Sequence, residues 1–160
     1  MTFLIFLGIS VITGIVWYFG SQRQNKLIEE GKIIKRDGTF WESAEYFSLT
    51  GVDYNKVLEA VNNTYFSDLK VTIYPNNGGK AEILFKSSYE WNAAIDFLGE
   101  EDGKFNYKFS FTPWNTYKYE MPPRADTMNM MMTKVEKMFL NLDPNTSVRT
   151  QEMKLRTKPI

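Results

Sequence analysis

Residues 91–114 read WNAAIDFLGEEDGKFNYKFSFTPW. Trp91, Ala93, Ile95 and Phe97 alternate with Asn92, Ala94, Asp96 and Leu98. After the acidic stretch Glu100-Glu101-Asp102-Gly103, Phe105, Tyr107, Phe109 and Phe111 alternate with Asn106, Lys108, Ser110 and Thr112. Alternation with period two places one set of side chains against a core and the other toward water. Two such runs around an acidic turn predict an antiparallel hairpin with an aromatic inner face.

The flanking sequence extends the sheet. LKVTIYPNNGGKAEILF (69–85) reads as two strands around an Asn-Asn-Gly-Gly turn. KIIKRDGTFWE (32–42) reads as a further hairpin turning at Asp37-Gly38. TGVDYNKVLEAVNN (50–63) predicts a short helix. Its buried stripe is Val57, Leu58 and Val61, with Tyr54 one turn earlier. Thr50 and Asp53 stand at capping-box spacing, with Asp replacing the usual Glu or Gln. Pro122 and Pro123 in MPPRAD interrupt the chain. A helix then starts near Asp126 or Thr127 and runs to about Leu142, with Met128, Met131, Met132, Val135, Met138, Phe139 and Leu142 on its apolar face. A polar strand in SVRTQEMKL (147–155) finishes the sheet at an edge.

The amino-terminal stretch is of another kind. Thr2 to Phe19 contain no charged residue. At a rise of 1.5 Å per residue, such a helix spans about 27 Å, close to the hydrocarbon thickness of a bilayer. Trp17 and Tyr18 close the run, where aromatic rings favour the headgroup region. A cleaved signal would call for a basic segment before the run and a small-residue cleavage site after it; only Met1 and Thr2 precede the run, and Trp17-Tyr18-Phe19 is a poor place to cut. The expectation is a transmembrane anchor over residues 1–20, a basic helical extension over 21–31 stopping at Gly31, and a single domain over 32–160. The fold class is then α+β: an N-terminal transmembrane helix followed by a mostly antiparallel sheet of about five or six strands, packed on one face by two helices.

Charge bears on orientation and partners. Lys plus Arg and Asp plus Glu are equal at 19 each. Residues 21–36 hold five basic and two acidic groups, residues 147–160 four basic and one acidic, so the stretch between carries six excess acidic groups. Basic flanks tend to stay cytoplasmic. The domain is therefore expected in the cytoplasm, with an extracellular domain as the alternative. Trp17, Tyr18, Arg23, Lys26, Lys32, Lys35 and Arg36 are the candidate membrane-surface contacts. An acidic centre argues against nucleic acid.

The chemistry is defined mostly by what is missing. The chain has no His and no Cys. That removes the commonest general base, thiol catalysis and thiolate metal sites. No glycine-rich loop has phosphate-binding spacing, and Glu100-Glu101-Asp102 lacks the alternating ligands of a calcium loop. No cofactor, metal or catalytic residue is assigned. The methionine-rich helix reads either as core or as one wall of an incompletely closed apolar cleft. Trp114, Tyr117 and Tyr119, in a loop, join Met128, Met131 and Met132 as the candidate interaction surface. Three readings of function stay open: a membrane-tethered, non-catalytic domain with a protein partner, a domain for a lipid or other apolar small molecule, and an enzyme working with Asp, Glu, Tyr or Lys.

Overall fold

The computed structural model describes residues 15, 18–36, 39–76, 81–89, 91–112 and 124–153. The chain divides into two units, one ending at Lys35 and one beginning at Arg36.

In the first unit, residues 18–29 form a helix, α1. It ends at Gly31, whose φ of +65° is the left-handed conformation that glycine adopts without penalty. The Gly31 N–H donates to the Ile28 carbonyl at 2.9 Å and the Lys32 N–H to the Leu27 carbonyl at 2.8 Å. These are the paired bonds of a Schellman ending. Tyr18, Phe19, Arg23, Lys26, Lys32 and Lys35 are exposed. Glu30 lies 2.7 Å from Lys32 and 3.9 Å from Lys26. No helix among the described residues is long and apolar enough to cross a membrane. Trp17 and nearly all of the charge-free run lie outside them.

The second unit is built on six strands: β1 Ser43–Thr50, β2 Val71–Asn76, β3 Glu82–Ser87, β4 Asn92–Glu101, β5 Lys104–Phe111 and β6 Ser147–Glu152. They form one sheet in the order β2-β3-β4-β5-β1-β6, every neighbouring pair antiparallel. Helices α2 (Tyr54–Asn63) and α3 (Ala125–Leu142) share one core with its inner face. This is the expected α+β sheet with its two helices.

The β4–β5 hairpin follows the alternation closely. Ala93 pairs with Phe111, Ile95 with Phe109 and Phe97 with Tyr107. Its turn is Asp102-Gly103, both at positive φ (52° and 72°), as a tight two-residue hairpin requires. The register shifts between Phe97 and Gly99. Gly99 has a φ of +116° with open space where a Cβ would stand, so the backbone and not crowding calls for glycine there. The bulge leaves Leu98 51% exposed. The outer face is less wet than alternation alone predicts. Ala44, Ala94, Ser110 and Asp96 are buried. Lys108 approaches Asp96 to 2.7 Å.

Two local expectations need correction. KIIKRDGTFWE forms no hairpin among its described residues: residues 34–36 have no regular structure, and Phe40–Glu42 make a 3-10 turn. Asp37-Gly38 lies outside the described residues, as do residues 77–80 of the Asn-Gly turn. The strand begins later, at Ser43, because Phe47 and Leu49 are the residues that reach the core. The capping of α2 also differs. Asp53 is itself the N-cap, accepting from the Lys56 N–H at 3.0 Å. The Thr50 N–H instead donates to Asp143 Oδ2 at 2.9 Å, tying the end of β1 to the end of α3.

The methionine-rich helix closes the core. Met128, Met131, Met132, Val135 and Phe139 are fully buried. Phe139 stacks on Phe47 with ring centroids 4.3 Å apart and tilts against Tyr107 at 5.4 Å. At the helix start, buried Trp91 donates its indole N–H to Thr127 Oγ1 at 2.9 Å, and that hydroxyl donates to the Arg124 carbonyl at 2.8 Å. Large-to-small changes in such a face cost about 2–5 kcal/mol. Met132→Ala and Phe139→Ala are expected to lose stability on that scale in denaturant melts. Met130→Ala, at the margin of the face, is expected to lose less than about 1 kcal/mol. A near-neutral Met132→Ala would mean that the helix does not pack as described.

Candidate functional site

The most distinctive chemistry lies where the second unit begins. Arg36 is not a surface cation. Its side chain is 10% exposed and sits between β1 and α3. All five guanidinium N–H groups find acceptors. Nε and Nη2 donate to Glu45 Oε1 at 3.1 and 2.8 Å. Nη2 also donates to Glu136 Oε2 at 2.6 Å. Nη1 donates to Asn129 Oδ1 at 2.7 Å and to Thr133 Oγ1 at 2.9 Å. The assignment of Arg36 as a membrane-surface contact is therefore corrected. A planar fork with fixed donors suits a buried site of this shape better than the point charge of a lysine would.

The local sequence explains the placement. Glu45 shares the parity of Phe47 and Leu49 on β1, so its carboxylate points into the layer between sheet and helix. On α3, Asn129, Thr133 and Glu136 recur at helical spacing. They cut a polar notch beside the methionine face. Two carboxylates thus meet one cation. Glu45 is 3% exposed in its side chain and Glu136 19%. Glu45 Oε2 is buried without a hydrogen-bond partner among the described residues. Burial pushes the Glu45 carboxyl up to about 7, with Arg36 opposing the shift and Glu136 adding to it. Perturbed carboxyls of this kind occur at functional sites and in structural ion clusters alike.

Beside the cluster is a small cavity of about 290 Å³, lined by Arg36, Phe40, Ser43, Met132 and Thr150. A larger groove of about 620 Å³ opens near the β4 bulge, where Tyr46, Ser48, Leu98, Glu101, Asn106 and Arg149 contribute to its lining. There the Arg149 guanidinium lies 5.0 Å from the Tyr46 ring centroid. Ser48 Oγ donates to Asn106 Oδ1 at 2.6 Å. The groove offers a cation, an aromatic ring, an apolar side chain and a carboxylate to a polar partner surface. Among the described residues, no three His, Cys, Asp or Glu side chains gather to hold a metal ion.

The sequence-predicted interaction surface is divided by the structure. Met128, Met131 and Met132 are fully buried and belong to the core, not to a surface. Trp114, Tyr117 and Tyr119 lie outside the described residues. Sequence reasoning missed Glu45 and the α3 notch. Two signals pointed to them: a charged residue at a core-parity position in β1, and three polar residues at helical spacing inside an apolar stripe. No protein-family model and no curated protein sequence matches the chain.

Removing one partner of a buried ion cluster costs about 3–5 kcal/mol, because the charge left behind has no counter-ion. Arg36→Ala is expected to destabilise on that scale. Replacing Arg36, Glu45 and Glu136 together by apolar residues of similar size is expected to be near neutral or stabilising. Denaturant melts at neutral pH compare the two. An Arg36→Ala change that costs less than about 1 kcal/mol would show the cluster to be loosely held.

Proposed function

We propose that this chain is a membrane-tethered, non-catalytic interaction domain, a subunit or adaptor of a membrane complex. The observation that carries the proposal is the charge-free run from Thr2 to Phe19. Its length suits a bilayer. Helix α1 supports it, since it continues past the run with Tyr18 and Phe19 exposed and Arg23 and Lys26 following. Aromatic rings and then basic residues are the order expected on leaving the hydrocarbon layer. With Arg36 taken up by its two carboxylates, the orienting flank is Arg23, Lys26, Lys32 and Lys35. This flank favours a cytoplasmic domain.

The absence of His and Cys from the sequence supports the non-catalytic part. The groove over Tyr46, Leu98 and Arg149 is the surface offered to a protein partner. Its mix of aromatic, apolar and Arg groups is of the kind enriched at interfaces. An apolar ligand between helix and sheet would have to displace Met128, Met131 and Phe139, which are fully buried in the core.

Two experiments bear on the tether. The full-length protein is expected to stay with membranes through high-salt and alkaline washes, and a chain beginning at Arg36 to be soluble and folded. Release of the full-length protein by the wash would overturn the anchor. Protease added outside intact cells is expected to leave the domain uncut. Replacing Arg23, Lys26, Lys32 and Lys35 by Gln is expected to weaken or invert that orientation. Cleavage of the wild-type domain from outside would reverse the topology.

A further inference from the structure

Arg36 is the first residue of the second unit, and side chains from β1 and α3 hold it. Both carboxylates converge on the same guanidinium nitrogen: Nη2 lies 2.8 Å from Glu45 Oε1 and 2.6 Å from Glu136 Oε2. If both are ionised, one positive charge faces two negative charges in a site nearly closed to water. Like charges sharing a buried site resist joint ionisation and share a proton instead. Asn129 and Thr133, the other α3 groups on Arg36, are neutral. The strands flanking Glu45 place Phe109 and Thr150 opposite it, and neither titrates in the relevant range. Arg36 is the cation on which both carboxylates meet.

We propose that the Arg36–Glu45–Glu136 cluster is a proton-operated clamp, which on binding one proton draws α3, β1 and the start of the domain together and on losing it loosens them. The proton resides on Glu45, the more deeply buried carboxyl. The neutral form leaves Arg36 balanced by Glu136 alone. The ionised form leaves an excess negative charge on a carboxyl whose Oε2 has no hydrogen-bond partner among the described residues.

The sign follows from linkage. Burial raises the Glu45 pKa in the closed state to about 7, whereas an opened site returns it to the ordinary carboxylate range. The closed state therefore binds the proton more tightly. Its extra stability is complete below the ordinary range and is lost as pH rises toward about 7. Most carboxylate pairs behave in the opposite sense and weaken in acid.

Hydrogen exchange of the full-length protein in mild detergent tests this, with rates corrected for the intrinsic dependence on pH. Amides of residues 43–48 and 129–136 are expected to lose protection by up to about tenfold per pH unit between about pH 5 and 7, then level off. Glu45→Gln is expected to abolish the dependence. Glu136→Gln is expected to move its upper end to lower pH, because Glu45 then has the guanidinium to itself. That shift separates proton sharing from a merely structural role. A wild type without pH dependence, or a Glu45→Gln variant that retains it, would overturn the clamp. Should Glu45→Gln fail to fold, carboxyl NMR of the wild type labelled at glutamate decides. One Glu titrating near neutral pH supports the clamp, and titration of every Glu in the ordinary range overturns it.

Discussion

Phe139 is the residue on which the two layers register. Its ring stacks on Phe47 of β1 and leans on Tyr107 of β5. Tyr107 in turn tilts against Phe97 of β4. Three neighbouring strands are thus keyed to one point on α3. Such aromatic contacts combine a large buried area with preferred ring geometries. They fix how the helix lies along the sheet as well as how tightly it packs. The Tyr107 hydroxyl adds an anchor by donating to the Val52 carbonyl at 2.8 Å, and burial pushes its pKa well up. Methionines fill what remains of the face, as their unbranched side chains suit irregular gaps.

The Arg36 cluster stands at the other end of the scale. Apolar packing is tolerant of small displacements, whereas five hydrogen bonds from one planar group are not. A buried cluster of this kind need add little net stability over apolar residues of the same volume. Its effect is selective, since a slip of α3 by one residue would put Met128, Met132 and Val135, or Met130, Lys134 and Lys137, where Asn129, Thr133 and Glu136 now stand. In β1 the same logic applies, because a shift of one residue would turn Glu45 outward and Tyr46 inward.

Legibility from sequence followed the strength of the period. The β4–β5 hairpin was clear because eight inner-face positions are apolar, six of them aromatic. Helix α3 was clear because its stripe runs for four turns between a proline pair and an Asp-Pro. Strand β1 was obscured by a buried charge: Glu45 interrupts the apolar parity that Phe47 and Leu49 define. The hairpin expected over residues 32–42 rested on Asp37-Gly38, a strong local turn signal that carries no information about pairing at a distance. Arg36 was misread for a related reason. In one dimension it is the last of five basic residues after an apolar run, and its carboxylates arrive 9 and 100 residues later. The α2 cap was displaced by three residues because Thr50 is drawn into β1, which leaves Asp53 to start the helix.

The position of β1 in the sheet has a consequence in time. It is the first of the described strands, yet it lies between β5 and β6, the last two. Its nearer partner ends at Phe111, about 60 residues after Thr50. At the usual pace of synthesis, roughly 5–20 residues per second, β1 waits roughly 3–12 s for a neighbour on one side and longer on the other. Its backbone N–H and C=O groups have no sheet partner during that interval. The Ser and Glu residues interspersed along SAEYFSLT, which blur the strand for a reader of the sequence, make the same strand a poor template for unwanted pairing while it waits.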